Sequence, residues 1–299
     1  MGVLLNPSLG PLLGRLIHRL DYLAAIPDRG WIDRGRNAEQ RFQALPSFLR
    51  MMEEASRERP VVLHSVGLSI CSADLFDEEY AHNMIEWAEM WNAAWISDHL
   101  SFSRIGTGHE KNAAITLPVP YDEEVLEMLI PRVRYFTERL ACPFLLENNV
   151  YYVRYPDQEM TEEEFLNRLC STSGCGVLLD LHNLYTNSVN HHLRATDYID
   201  RLDLSNVTEI HIAGGMPMLG FHTDSHTGPV IRGVWDLLEY TVPRTPNLRG
   251  VTFEFHESSF GAMGVYGVLE QVEQARAIVA YAGKDGARDV AQGIPAGPR

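Results

Sequence analysis

A histidine or a carboxylate stands at the end of nearly every short apolar run in this chain. Val61-Val62-Leu63 ends in His64, Ala94-Trp95-Ile96-Ser97 in Asp98 and His99, and Pro143-Phe144-Leu145-Leu146 in Glu147. Gly176-Val177-Leu178-Leu179 ends in Asp180, with His182 two residues on. Thr208-Glu209-Ile210 leads to His211, and Gly250-Val251-Thr252-Phe253 to Glu254; Asp224 and His226 follow the His211 run. Imidazoles and carboxylates without thiolates suit iron, manganese or zinc rather than Mg²⁺ alone or an iron–sulfur cluster. About ten such groups exceed what one ion needs, so two or three ions are expected, with Glu147 as the bridging carboxylate. Each residue taken alone reads as a hydrogen-bonded core group or, for an aspartate, a helix cap. Together on one rim they would crowd unpaired charge into one cavity, a cost that cations relieve.

The elements that position them follow from the rhythm of the chain. The apolar runs have the length and continuity of parallel strands buried on both faces. Between them lie amphipathic patterns. Asp77 to Asn92 spaces Tyr80, Met84, Trp87, Ala88 and Trp91 by three and four, and Asp122 to Leu140 does the same with Val125, Leu129, Val133 and Phe136. Thr161 followed by Glu164 is a capping-box pattern. Further helices are expected at 196–202, 233–240 and 265–282. Six clear strands, with weaker ones at Val3–Leu5 and near Tyr22–Ile26, make eight. The pattern predicts an α/β fold, a single (β/α)8 TIM-type barrel over residues 1–282, whose C-terminal strand ends open on one mouth. An open doubly wound sheet is the alternative, but no Gly-x-Gly-x-x-Gly follows the first strand.

Composition narrows the classes further. The 299 residues carry 25 Lys+Arg against 40 Asp+Glu, a net charge of −15, which disfavours nucleic acid as a partner. With 45% hydrophobic and 22% charged residues, disorder throughout is excluded. No run of about 18 apolar residues predicts a membrane span. The start, Met1-Gly2-Val3-Leu4-Leu5-Asn6-Pro7, lacks a basic region ahead of an apolar one, so no secretory signal is expected. Cys71, Cys142, Cys170 and Cys175 are scattered and read as reduced thiols of a cytoplasmic protein. Residues 283–299, rich in Gly, Ala and Pro, read as a disordered tail. His18, His82 and His109 read as solvated or structural, and one of His191 and His192, in an expected loop, is a candidate to reach the site. His256 is expected on the same side as Glu254 if that strand continues.

Several motifs, in order, resemble the multinuclear non-heme iron-dependent oxidase family, related to the methanobactin-type peptide-modifying oxidases. They are His64-Ser65-Val66-Gly67-Leu68-Ser69-Ile70, Ser97-Asp98-His99-Leu100-Ser101-Phe102-Ser103, Leu146-Glu147-Asn148 and Leu179-Asp180-Leu181-His182-Asn183-Leu184-Tyr185. Glu209-Ile210-His211-Ile212-Ala213-Gly214 and Asp224-Ser225-His226-Thr227-Gly228-Pro229-Val230 complete the set. The resemblance implies a xylose-isomerase-like TIM barrel holding two or three irons in a mixed Fe(II)/Fe(III) state. It carries over as ligands His64, His99, Glu147, Asp180, Asn183, His211, Asp224, His226 and Glu254, with His64, His99, Glu147, Asp180 and His211 at the catalytic core.

Three positions depart from the family pattern: His182 where Asn is usual, Gly215 where His is usual, and Phe255-His256 where Trp-Asp is usual. His182, two residues beyond Asp180, is expected to point into the mouth as an added ligand or a donor to Asp180. The implied activity is O₂-dependent modification of a ribosomally made precursor peptide, at a cysteine, through hydrogen abstraction by a ferric-superoxo species. A partner protein, or a helix-in-groove contact on the barrel, is expected to deliver the peptide. The rival readings are a divalent-metal sugar isomerase, a phosphodiesterase- or endonuclease-like hydrolase, and a non-catalytic barrel. An isomerase would want a lysine near the metals, and Lys111 is the sole lysine in the barrel-forming region.

Overall fold

The computed structural model describes residues 1–5, 10–105 and 112–292. Eight parallel strands close into a barrel: β1 Gly2–Leu5, β2 Tyr22–Ala25, β3 Val61–His64, β4 Ile96–His99, β5 Phe144–Glu147, β6 Gly176–Asp180, β7 Val207–Ala213 and β8 Gly250–Glu254. Each pairs with the next in chain order, and β1 closes the ring against β8. All six clear strands and both weaker ones are present. β4 sits two residues later than its apolar run suggested, so it carries Asp98 and His99 within the strand.

Side chains alternate across a strand, so each lumen-facing position has a partner two residues below it. The lumen therefore holds the pairs Val62/His64, Ser97/His99, Leu145/Glu147, Leu178/Asp180, Glu209/His211 and Thr252/Glu254. Register places His99 opposite Glu147 and Asp180 opposite His211, while Glu147 is opposite Leu178 and His211 opposite Thr252, so the upper residues step along the strands around the ring. Beneath them Tyr22, Ala24, Val62, Trp95, Leu145 and Leu178 pack together, with Glu209 and Thr252 buried among them. Outward-facing strand residues bury against the helices, as where Phe144 stacks on Phe136 at 4.4 Å between centroids. Full burial of such a ring is worth about 1.5–3 kcal/mol.

Helices α1 Gly10–Leu16, α2 Pro46–Glu58, α3 Glu78–Met90, α4 Glu123–Thr137 and α5 Glu162–Ser173 alternate with the first six strands. Asp77, Asp122 and Thr161 cap α3, α4 and α5 by accepting from the backbone N–H of Tyr80, Val125 and Glu164. After β6 come α6 Leu181–His191 and α7 Ala195–Arg201, then α8 Arg232–Thr241 and α9 Glu257–Gln292. α9 is broken at Gly264 (φ +60°), just before the expected start at Val265. It also takes in residues 283–292 of the stretch expected to be a tail; 293–299 lie outside the described residues, as do His109 and Lys111.

Hairpins decorate the mouth after β2, β4 and β7, among them Met216–Met218 with Phe221–Thr223. The cysteines are free thiols, with Cys170 and Cys175 Sγ 3.7 Å apart, well beyond a bonded S–S of about 2.05 Å. Among the described residues no helix is long and apolar enough to cross a membrane.

Candidate metal centre

The strand ends converge on the carboxylate of Glu147, which is 1% exposed. Its Oε2 lies 3.4 Å from His64 Nε2 and 3.3 Å from His99 Nε2. Its Oε1 receives Asn183 Nδ2 at 3.3 Å and lies 3.9 Å from His211 Nδ1. His211 Nδ1 is in turn 3.3 Å from Glu254 Oε1, and Glu254 Oε2 is 3.5 Å from His226 Nε2. His226 Nε2 meets Asp224 Oδ1 at 2.8 Å, and His182 Nδ1 meets the same oxygen at 3.0 Å. Four triads follow: His64–His99–Glu147, Glu147–Asp180–His211, Asp180–His226–Glu254 and His182–Asp224–His226. Glu147, Asp180 and His226 each belong to two of them. All ten sequence-predicted ligands lie in this one network.

Local structure explains the placement. Asp180 ends β6 and caps α6, its Oδ1 accepting from Asn183 N at 2.7 Å, which aims Asn183 back at Glu147. Asn148 clamps the Asp180 backbone on both sides, at 2.7 and 3.0 Å. His64 is oriented by Ser97, whose Oγ is 2.9 Å from His64 Nδ1. Glu209, absent from the expected ligands, stands below His211; Trp95 Nε1 and Thr252 Oγ1 donate to it at 2.6 and 2.5 Å.

Electrostatics divide the centre. Burial, helped by His99 and His211, holds His64 well below the usual imidazole pKa, and burial lowers His99 too. Burial raises Glu147 and Asp180. Toward the rim burial is outweighed: Asp224 and Glu254 lift His226 to about 10, and His211 with His226 holds Glu254 well below the carboxylate range. Many polar atoms in the centre are buried without a hydrogen-bond partner, among them Glu147 Oε2, Asp180 Oδ2, Asn183 Oδ1 and His211 Nδ1. Buried polar atoms normally have partners. Here the orphans point at one another, are all hard or borderline donors, and fit divalent or trivalent cations of the iron, manganese or zinc kind.

Other candidates fall elsewhere. Asp98, between two lumen-facing residues, is buried on the helix side of β4 and joins none of the four triads. His182 does not extend β6, because the strand stops at Asp180; it reaches Asp224 from the first turn of α6. Residues 187–191 are the end of that helix and not a loop: His191 stacks on Tyr151 and contacts its carbonyl at 2.8 Å, and His192 is the left-handed C-cap. β8 likewise stops at Glu254, leaving His256 exposed beside Ser258 on the rim. His18 is exposed and His82 pairs with Glu86 on α3.

A cavity of about 180 Å³ opens onto the centre, lined by His64, His99, Glu147, Asn183, Asp224, His226, Glu254 and, at its entrance, Arg29, Phe255 and His256. A larger cleft of about 660 Å³, sharing no lining residue with it, is lined by α6 and α7 with Tyr121, Tyr151 and Glu162. Among the described residues, the four groups of ligand-capable atoms gather at the smaller cavity and not at the larger cleft.

The family model described as "RiPP precursor modification enzyme MbnB/TglH/ChrH" matches residues 18–279. A UPF0276 protein of Anaeromyxobacter sp. strain Fw109-5 is 34% identical over 231 residues, 77% of this chain and 80% of that protein. Among solved structures, a D-psicose 3-epimerase of Clostridium cellulolyticum H10 superposes with a TM-score of 0.57 at 11% identity, covering 95% of this chain and 98% of that one. A putative xylose isomerase of Rhodospirillum rubrum gives 0.58 at 11% identity, over 93% and 98%. At such identities these two establish the xylose-isomerase-like barrel alone.

Proposed function

On the premise that the chain belongs to the MbnB/TglH/ChrH family of RiPP precursor modification enzymes, we propose that it is an O₂-dependent oxidase using two or three irons to modify a ribosomally made peptide at a cysteine. One observation carries the reading: four ligand triads share Glu147, Asp180 and His226, so neighbouring ions would be bridged rather than isolated. Mixed-valent Fe(II)/Fe(III) bound there supplies redox chemistry with O₂ as the oxidant.

The residues divide the remaining work. His64 and His99, kept neutral by burial, would offer lone pairs without first losing a proton. Glu147 would bridge, while Ser97, Asn148 and Asn183 hold the ligands in orientation. The small cavity admits one side chain and its backbone, not a folded substrate. On the hairpin that leads into Asp224, Met216, Met218, Leu219 and Phe221 are exposed, with Tyr152 against Phe221, an apolar surface suited to an extended peptide. A peptide thiolate entering past His256 would meet the Asp224–His226 side of the centre first. A partner protein that presents the peptide, and a cytoplasmic location where its thiol stays reduced, complete the proposal.

The test is anaerobic spectroscopy on iron-loaded protein. Adding a short cysteine-containing precursor peptide encoded beside this protein should produce a thiolate-to-Fe(III) charge-transfer band, and its Cys→Ser version should not. Stoichiometric zinc with no iron-dependent activity would instead favour a hydrolase.

A further inference from the structure

Gly215 follows β7 and faces His182. A Cβ built on Gly215 would lie 2.4 Å from His182 Nε2 and 2.5 Å from the Thr223 carbonyl oxygen, closer than real atoms approach. The His182 ring thus occupies the volume that a side chain at 215 would need. That ring is fully buried, and its Nε2 has no hydrogen-bond partner. That nitrogen faces Gly215, on the far edge of the ring from the one turned to Asp224. Its Nδ1 points at Asp224 Oδ1, 3.0 Å away, and the same oxygen is 2.8 Å from His226 Nε2. Three ligand atoms from two segments, the first turn of α6 and the loop after the 216–223 hairpin, therefore face one point.

We propose that His182 is a ligand of an outer metal ion shared with Asp224 and His226, and that Gly215 is glycine because only an absent side chain admits that ring. The pair acts as one device. With Nδ1 on the metal, the proton sits on Nε2, against the bare Gly215 backbone. A larger residue at 215 would push the imidazole out and leave the outer ion with two protein ligands from this group. The inference rests on the metal-centre reading above, but it concerns one position of that centre and does not depend on which reaction follows.

The experiment counts metal in apoprotein reconstituted anaerobically, once with Fe(II) and once with Zn(II), then desalted. His182→Phe keeps a ring in place but offers no nitrogen. It should fold with an apoprotein Tm near wild type yet retain one ion fewer per chain, with the weakest ion held more than about tenfold less tightly, the scale reached by losing even an outer partner. Gly215→Ala should lose the same ion, and adding it to His182→Phe should cost no further metal, the non-additivity expected of one shared interaction. If Gly215→Ala does not fold, restoration of the fold by adding His182→Ala supports the steric pairing. Failure of that rescue means the Thr223 carbonyl sets the glycine and overturns the Gly215 half. Glu147→Ala separates the two levels. Full metal in Glu147→Ala sinks the whole centre, whereas metal loss there alongside wild-type stoichiometry and affinity in His182→Phe overturns only the ligand assigned here.

Discussion

Glu209 Oε1 lies 3.3 Å from Nε2 of His211, two residues earlier on the same strand and one layer deeper in the barrel. The carboxylate cannot turn away, because Trp95 Nε1, Thr252 Oγ1 and the Tyr22 hydroxyl, at 2.6, 2.5 and 3.5 Å, all face it. Glu209 thus faces the Nε2 edge of the His211 ring at ion-pair distance, and Nδ1 faces Glu254 and Glu147. Carboxylates behind ligating histidines fix ring orientation and raise ligand basicity.

Glu209→Gln should therefore weaken Fe(II) binding by about 10- to 100-fold, the usual cost of losing such a partner. Equilibrium binding with a competing chelator measures it, alongside the apoprotein Tm to verify folding. Unchanged affinity would show that His211 is held by packing alone.

This layered arrangement explains what the sequence displayed and what it concealed. Parallel strands buried on both faces read as apolar runs, so a polar residue closing each run stood out, and His64, Glu147, Asp180 and Glu254 could be picked from one chain. Glu209 sits inside its run and looked like strand; its clue was its spacing of two from His211. Helix α6 was missed because Asn183, Thr186, Asn187, Ser188 and Asn190 favour caps and turns over helix interiors. Burial of Leu181, His182, Leu184 and Asn187 overrides that preference. The same helix brings His182 to Asp224 by a route strand alternation could not foresee.

Arg41 anchors the loop between β2 and α2 to the N-terminus of α3. It is 3% exposed, pairs with both Asp77 oxygens at 2.8 Å and with both Asp33 oxygens at 2.9 Å, while Asp77 caps α3. Arg41→Ala would leave Asp77 buried without its main counter-charge and should cost about 3–5 kcal/mol. Urea unfolding of the apoprotein reads this directly; a loss below about 1 kcal/mol would place the pair among weak surface bridges.

Glu162 predicts a pH dependence independent of metal. Burial, only partly offset by donors from Tyr121 and the Asn149 backbone, raises it from 4.5 to about 7. A carboxyl with a raised folded pKa contributes stability fully below its unfolded value, and loses it as pH climbs from about 4.5 through 7. The displacement is worth roughly 3 kcal/mol as an upper figure, at about 1.4 kcal/mol per pKa unit. Glu162→Gln removes the titration and should leave stability near wild type at pH 4.5 but exceed it at pH 8. A wild-type-minus-variant difference that stays flat across that range would contradict the assignment.

Ions held around Glu147 are proposed to let O₂ oxidise a peptide cysteine. The most direct measurement is the mass of a cysteine-containing precursor peptide after incubation with iron-reconstituted protein, with and without O₂, beside Glu147→Ala. A defined mass change should appear that needs both iron and O₂, maps to a cysteine residue, and falls at least about 100-fold in rate in Glu147→Ala, the scale of losing one strongly stabilising group. An unmodified cysteine under all conditions, or the same product without O₂ or with zinc in place of iron, would contradict it.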